Sequence, residues 1–286
     1  MAIEEKYIEV KGLKWFYREA QPQSSNRNQT EQPPVLLLHG LPAQSYTWTE
    51  VMPDLAERGY RAIAPDWIGS GLSAKPDTRD FPYTPDAFID ALGSFIAALE
   101  IEKFHLVIQG FLASVGVQYA LRHPEQIARL AILNAPVTTD ARLPWPIQQL
   151  GIPLVGEMMT QDPLLVDRTL EKGSGFAISD QDLDIYRRPF LNSSAAGRAL
   201  FTTVRRLQLK TAMAEIEAGF PSWQQPTLII WGQADPWLDF SQAENLAKFI
   251  PNSQLVPLEG VGHYPQEHWS QKVSDALLPF LRRQEV

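Results

Sequence analysis

Apolar positions along the chain follow two alternating rhythms. Short apolar runs at residues 35–38, 61–65, 104–108, 130–134, 227–231 and 254–257 are bounded by Gly, Pro, Asp or Asn. Runs of this length and boundary chemistry predict buried strands. Between them, residues 48–58, 85–100, 112–121, 242–249 and 269–281 repeat at helical spacing. In the second of these, Phe88, Leu92, Phe95, Ile96 and Leu99 fall on one face. Near the start, residues 7–10 and 13–18 are split by Lys11-Gly12, which predicts an antiparallel hairpin at a sheet edge. Strands alternating with helices predict an α/β fold, a doubly wound and mostly parallel sheet covered on both faces.

The alternation stops after residue 136 and resumes at about residue 222. The intervening stretch carries helical patterns, as at Leu154, Val155, Met158 and Met159 and again over residues 195–206, with few strand signals. It predicts a core domain made of residues 1–136 and 222–286, with residues 137–221 inserted as a helical cap, or lid. Such an insertion belongs over the carboxyl ends of the strands, where open α/β sheets bind ligands. Residues 21–34, rich in Gln, Asn, Ser and Pro, are expected to form an exposed loop.

Composition narrows the function. The chain has 286 residues and 44% hydrophobic content, an ordinary globular balance that excludes a disordered chain or a rod. A net charge of −8 without any basic run argues against nucleic acid as a partner. No cysteine is present, so disulfides, thiolate nucleophiles and Cys-ligated metals are excluded, in keeping with a reducing compartment. The acidic N-terminus predicts no signal peptide, and no apolar stretch reaches membrane-spanning length; a cytoplasmic location is expected. No His, Asp or Glu spacing suits a metal, and neither a metal nor a cofactor is expected.

Loops leaving strand ends carry the candidate chemistry: His39-Gly-Leu-Pro42, Asp66-Trp-Ile-Gly-Ser-Gly-Leu-Ser73, Gln109-Gly110-Phe111, Trp231-Gly-Gln-Ala-Asp235 and Gly262-His-Tyr-Pro-Gln-Glu267. With Arg122-His-Pro-Glu125, Leu133-Asn-Ala-Pro136 and Tyr186-Arg-Arg-Pro-Phe190, the chain from about residue 7 onward resembles the α/β-hydrolase superfamily. The resemblance is greatest to its lidded haloalkane dehalogenase and epoxide hydrolase branch. It implies that Asp235 is the triad acid, that His263 is the base, and that the backbone N–H groups of Leu41 and Phe111 form an oxyanion hole. It also implies a structural role for His39, and Asp66 is expected to hold its own glycine-rich turn.

One position departs from the pattern. Counting back from Arg122-His-Pro-Glu125 places the nucleophile of the strand–elbow–helix turn at Gly110, which has no side chain to attack with. Ile108 and Leu112 stand where the elbow wants small residues, so they are expected to crowd it, and the glycine is expected to relax it. Ser114, four residues on, is expected to point into packing. The side chains of Leu41 and Phe111 offer a departing halide no N–H donor, and only Tyr186 stands in the cap where epoxide hydrolysis wants two tyrosines. Trp145, Met158, Tyr186 and Phe190, with Phe111 and Met159, are expected to line an apolar pocket. The resulting expectation is a protein acting on a small hydrophobic molecule with a His263–Asp235 dyad as base. Two alternatives stay open: a non-catalytic binding protein, and a conventional ester, epoxide or haloalkane hydrolase with another nucleophile. The oligomeric state is not legible.

Overall fold

The computed structural model describes residues 2–22, 32–162 and 164–282. Most of the loop expected at 21–34 lies outside them. The described strands are β1 (Glu4–Val10), β2 (Leu13–Ala20), β3 (Val35–Leu38), β4 (Ala62–Pro65), β5 (Phe104–Gln109), β6 (Ile127–Leu133), β7 (Thr227–Gly232) and β8 (Ser253–Leu258). They form one sheet in the order β1-β2-β4-β3-β5-β6-β7-β8. Only β2 runs antiparallel to its neighbours, β1 and β4; the other pairings are parallel. The β1–β2 hairpin turns on Lys11 and Gly12, both at positive φ (51° and 77°), as a two-residue hairpin turn requires.

The side chains of each central strand divide between two cores, because alternate residues face opposite ways. Leu36, Leu38, Ile63, Leu106, Ile108, Leu130, Ile132, Ile229 and Trp231 pack on one face. Val35, Leu37, Ala62, Ala64, Val107, Ala131, Leu133, Leu228 and Ile230 pack on the other. Helices α1 (Met52–Glu57) and α12 (Ser270–Arg282) cover the second face through Met52, Leu55, Val273, Leu277 and Phe280. Helices α2 (Pro85–Ala98), α3 (Ser114–Arg122) and α10 (Phe240–Phe249) cover the first. Two buried faces explain why these strands read as unbroken apolar runs. Helix α2 starts where its sequence dictates: Thr84 accepts a capping hydrogen bond from the Ala87 N–H, and Pro85 opens the first turn.

Between β6 and β7 lie α4 (Trp145–Gln148), α5 (Val155–Met159), α6 (Leu164–Ser174), α7 (Asp180–Asn192), α8 (Ser194–Arg206) and α9 (Leu209–Gly219). A small third core joins this insertion to the strand-end loops, with Val166, Leu170, Leu183 and Tyr186 against Ala43 and Tyr264. After β3 the chain turns to β4 on one side and then returns to β5 on the other. The sheet's switch point therefore lies between β3 and β5, where loops part and leave a crevice at the strand carboxyl ends. No helix among the described residues is long and apolar enough to cross a membrane.

Candidate active site

Two loops meet at the switch point in direct backbone contact. A Cβ placed on Gly40, after β3, would lie 2.7 Å from the Gly110 Cα, after β5. Only glycine allows this approach. The next residues are Leu41 and Phe111, and the N–H of neither donates to another described residue. Gly110 itself has φ +78° and ψ −170°, a region that side chains other than glycine's enter at a cost. The tight turn is therefore retained, and glycine occupies it without the strain that a side chain would bear there.

The source of crowding is corrected. A Cβ on Gly110 would meet the Gly40 Cα at 3.0 Å and the His263 Nε2 at 3.5 Å. Ile108 instead faces α3, its Cγ2 lying 3.0 Å from where a Cβ on Gly116 would be. Leu112 is part of the core on the same face.

His263 arrives from the loop after β8, and Asp235 from the loop after β7. Their side chains are fully buried, with Nδ1 2.7 Å from Asp235 Oδ2. A carboxylate only accepts, so Nδ1 donates this hydrogen bond, and in a neutral ring of that tautomer Nε2 is the basic nitrogen. The carboxylate is saturated with donors. Asn134 Nδ2 donates to Oδ2 at 2.8 Å, and the backbone N–H groups of Trp237 and Leu238 donate to Oδ1 at 2.8 and 3.1 Å. Asn134 also ties β6 to β7, accepting from the Gly232 N–H at 2.8 Å. The imidazole is boxed by rings. Phe111 stacks on it at 5.3 Å, with Trp237 at 4.7 Å and Tyr264 edge-on at 4.9 Å. Nε2 is buried without a hydrogen-bond partner among the described residues.

Surrounding polar groups fix the loop's backbone. Gln109 donates to the His263 carbonyl at 2.7 Å, and the His263 N–H donates to the Gly173 carbonyl of α6 at 2.8 Å. Glu267, on the short helix α11 (Pro265–His268), accepts from Thr47 of the core and from Tyr186 of α7. Burial raises the Glu267 carboxyl above its ordinary value, although the Thr47 and Tyr186 hydrogen bonds oppose the shift. Burial likewise raises the Tyr264 phenol, aided by the charges of Asp235 and Glu267.

His39 is held beside the loop that carries Gly40 and Leu41. Its Nδ1 bonds the Gly40 carbonyl at 2.9 Å, while Nε2 accepts the Trp67 N–H at 3.2 Å. Burial lowers its pKa, consistent with a neutral ring in that arrangement. Asp66 holds its own turn, accepting from the Ser45 and Leu72 N–H groups at 2.7 Å each. Ser114 Oγ is buried and bonds no described residue, His263 included. Among the described residues no group of three or more His, Asp or Glu gathers as metal ligands would.

The pocket expectation is corrected in part. Tyr186 and Phe190 line a narrow crevice with Leu41 and Pro42, of only ≈ 10 Å³. Trp145 and Met158 do not line the site: they are 63% and 70% exposed. They stand on helices of four and five residues, too short for helical spacing to define an inward face. Asn134, Gln109 and Glu267 stand inside the quoted strand-end phrases without a role of their own being assigned to them, and Trp237 lies outside those phrases.

The alpha/beta hydrolase fold family matches residues 33–268. A cis-3-alkyl-4-alkyloxetan-2-one decarboxylase from Shewanella oneidensis is 28% identical over 275 residues, covering 91% of this chain and 85% of its own. A haloalkane dehalogenase from Mycobacterium marinum is 29% identical, covering 86% and 84%. A solved haloalkane dehalogenase from Bradyrhizobium elkani superposes with a TM-score of 0.86 at 25% identity, over 98% of both chains. With its sheet order, helical insertion and strand-end loops, the chain belongs to the α/β-hydrolase fold family.

Proposed function

We propose that this chain acts on a small, largely apolar molecule without a covalent intermediate, using His263 as a general base steered by Asp235. One observation supports the reading above others. His263 Nε2 has no hydrogen-bond partner among the described residues and faces Gly110, 3.5 Å from where a side chain would begin. On this reading Gly110 stands where the family's elbow carries its attacking group, so the base meets no hydroxyl or carboxylate from that position. Its lone pair is instead suited to take a proton from water or from an acidic C–H of the ligand. The Leu41 and Phe111 N–H groups are suited to hold the oxygen on which negative charge then develops.

The names of the relatives bound the substrate class. A dialkyl oxetan-2-one is a strained lactone and a haloalkane is an alkyl electrophile; both are uncharged. For this chain a compact electrophile with a carbonyl suits the two backbone donors better than a haloalkane, because the Leu41 and Phe111 side chains offer a halide no N–H. Entry requires the Phe111 or Trp237 ring to swing from the imidazole. The test is a panel of esters, β-lactones, epoxides and haloalkanes assayed with wild type, His263→Ala and Asp235→Asn. Turnover that falls by about 10²-fold or more in both variants supports the reading. Tight binding without turnover, unchanged in His263→Ala, would replace it with ligand binding alone.

A further inference from the structure

A second concavity opens on the outer surface where α7 meets the first hairpin. This cleft of ≈ 350 Å³ lies between the core and the insertion and is lined by aliphatic and charged groups together. Ile3, Leu72 and Ile185 supply apolar wall, Tyr46 an aromatic one, and Arg18 and Arg188 two guanidinium groups; the Glu5 carboxylate also lines it, paired with Arg18, so the lining keeps one net positive charge. Its volume falls within the range of small-molecule sites.

The two arginines are in different states. Arg18 is 5% exposed and preorganised: Nη1 donates to Ser45 at 2.6 Å, Nη2 to Glu5 at 2.9 Å, and the group stacks on Tyr46. Two of its five N–H donors are thus used, and its one carboxylate partner has a side chain 58% exposed. Arg188 is exposed at the rim and has no ion pair among the described residues. Its neighbour Arg187, by contrast, pairs with Asp167, Asp180 and Asp184. A chain with net charge −8 therefore keeps an uncommitted cation beside an apolar wall.

We propose that this cleft is a binding site for a small amphipathic carboxylate, its acid group held by Arg188 with Arg18 behind it and its aliphatic chain against Leu72 and Ile185. A planar guanidinium matches a carboxylate in two-point geometry, and a fixed Arg18 loses little freedom on binding. The proposal is independent of the base chemistry at His263.

Octanoate and 1-octanol are the probes, with binding followed by calorimetry and by amide NMR shifts. Octanoate should bind at least fivefold more tightly than octanol, weaken with added salt, and shift amides of the 44–46, 72 and 185–188 segments. Arg188→Gln should weaken octanoate roughly fivefold to tenfold and leave octanol unchanged. Leu72→Asp should weaken octanoate by placing a like charge on the wall. His263→Ala should change nothing. Equal affinity for acid and alcohol, an unaffected Arg188→Gln variant, or binding lost in His263→Ala would each overturn the proposal; the last would place the ligand at the dyad.

Discussion

Replacing Gly110 by alanine tests the elbow most directly, because the structure fixes both its cost and its sign. An ordinary Gly→Ala change at negative φ stabilises a protein by about 0.4–1 kcal/mol through the unfolded chain. At φ +78° and ψ −170° the added Cβ enters a strained region, at a cost on the order of 1–3 kcal/mol. It also meets the backbone of Gly40 at 3.0 Å, which cannot rotate away as a side chain can. Net destabilisation of about 2 kcal/mol is expected, a fall in Tm of roughly 4–8 °C for a domain of this size. Gly110→Ser bears the same strain, but its Oγ starts from a Cβ 3.5 Å from the partnerless Nε2. One recovered hydrogen bond should make it about 1 kcal/mol more stable than the alanine variant. Urea melts of the three proteins at one pH read both differences. A neutral or stabilised Gly110→Ala would show that the elbow is not held as described. Equal stability of the serine and alanine variants would show that the imidazole does not face position 110.

Three further outcomes follow from buried polar groups. His105 is 4% exposed, neither ring nitrogen has a hydrogen-bond partner among the described residues, and burial lowers its pKa to about 3, with Arg129 and Lys103 adding to the shift. The unfolded chain binds this proton more readily, so the stability is present above histidine's ordinary 6.5 and is lost as pH falls below it. Between pH 7 and 5 His105→Leu should remove about 2 kcal/mol of acid sensitivity, seen as a flatter curve of urea midpoint against pH. Glu267 has the opposite sign: its raised folded pKa makes stability fall as pH climbs past its ordinary 4.5, so Glu267→Gln should gain on wild type between pH 5 and 8. Asn134→Ala removes one donor to Asp235 and the β6–β7 tie. It should cost about 1–3 kcal/mol and, by loosening the acid, reduce turnover more than it raises KM; an unchanged melting curve would argue against that tie.

The sequence marked what depends on local spacing and little of what depends on contact across the sheet. Strands buried on both faces announce themselves as apolar runs, and β3 and β7 were found nearly to the residue. Asp235 and His263 were visible because each follows a strand inside a resembling phrase, and the structure joins them at 2.7 Å. The crowding at position 110 was misread because it comes from Gly40, 70 positions earlier, and not from Ile108 two residues away. Trp145 and Met158 were misread because apolar composition does not say which way a one-turn helix faces. Asn134 reaches Asp235 through a backbone at φ +36°, a conformation no local pattern announced.

Intact-protein mass spectrometry during turnover of whichever carbonyl electrophile the panel identifies tests the absence of a covalent step. The protein mass should stay unchanged while product accumulates, and product should fail to appear in His263→Ala. A stoichiometric adduct that forms in wild type, is absent from His263→Ala and maps to Ser114 or any other hydroxyl or carboxylate would contradict base catalysis without a protein nucleophile.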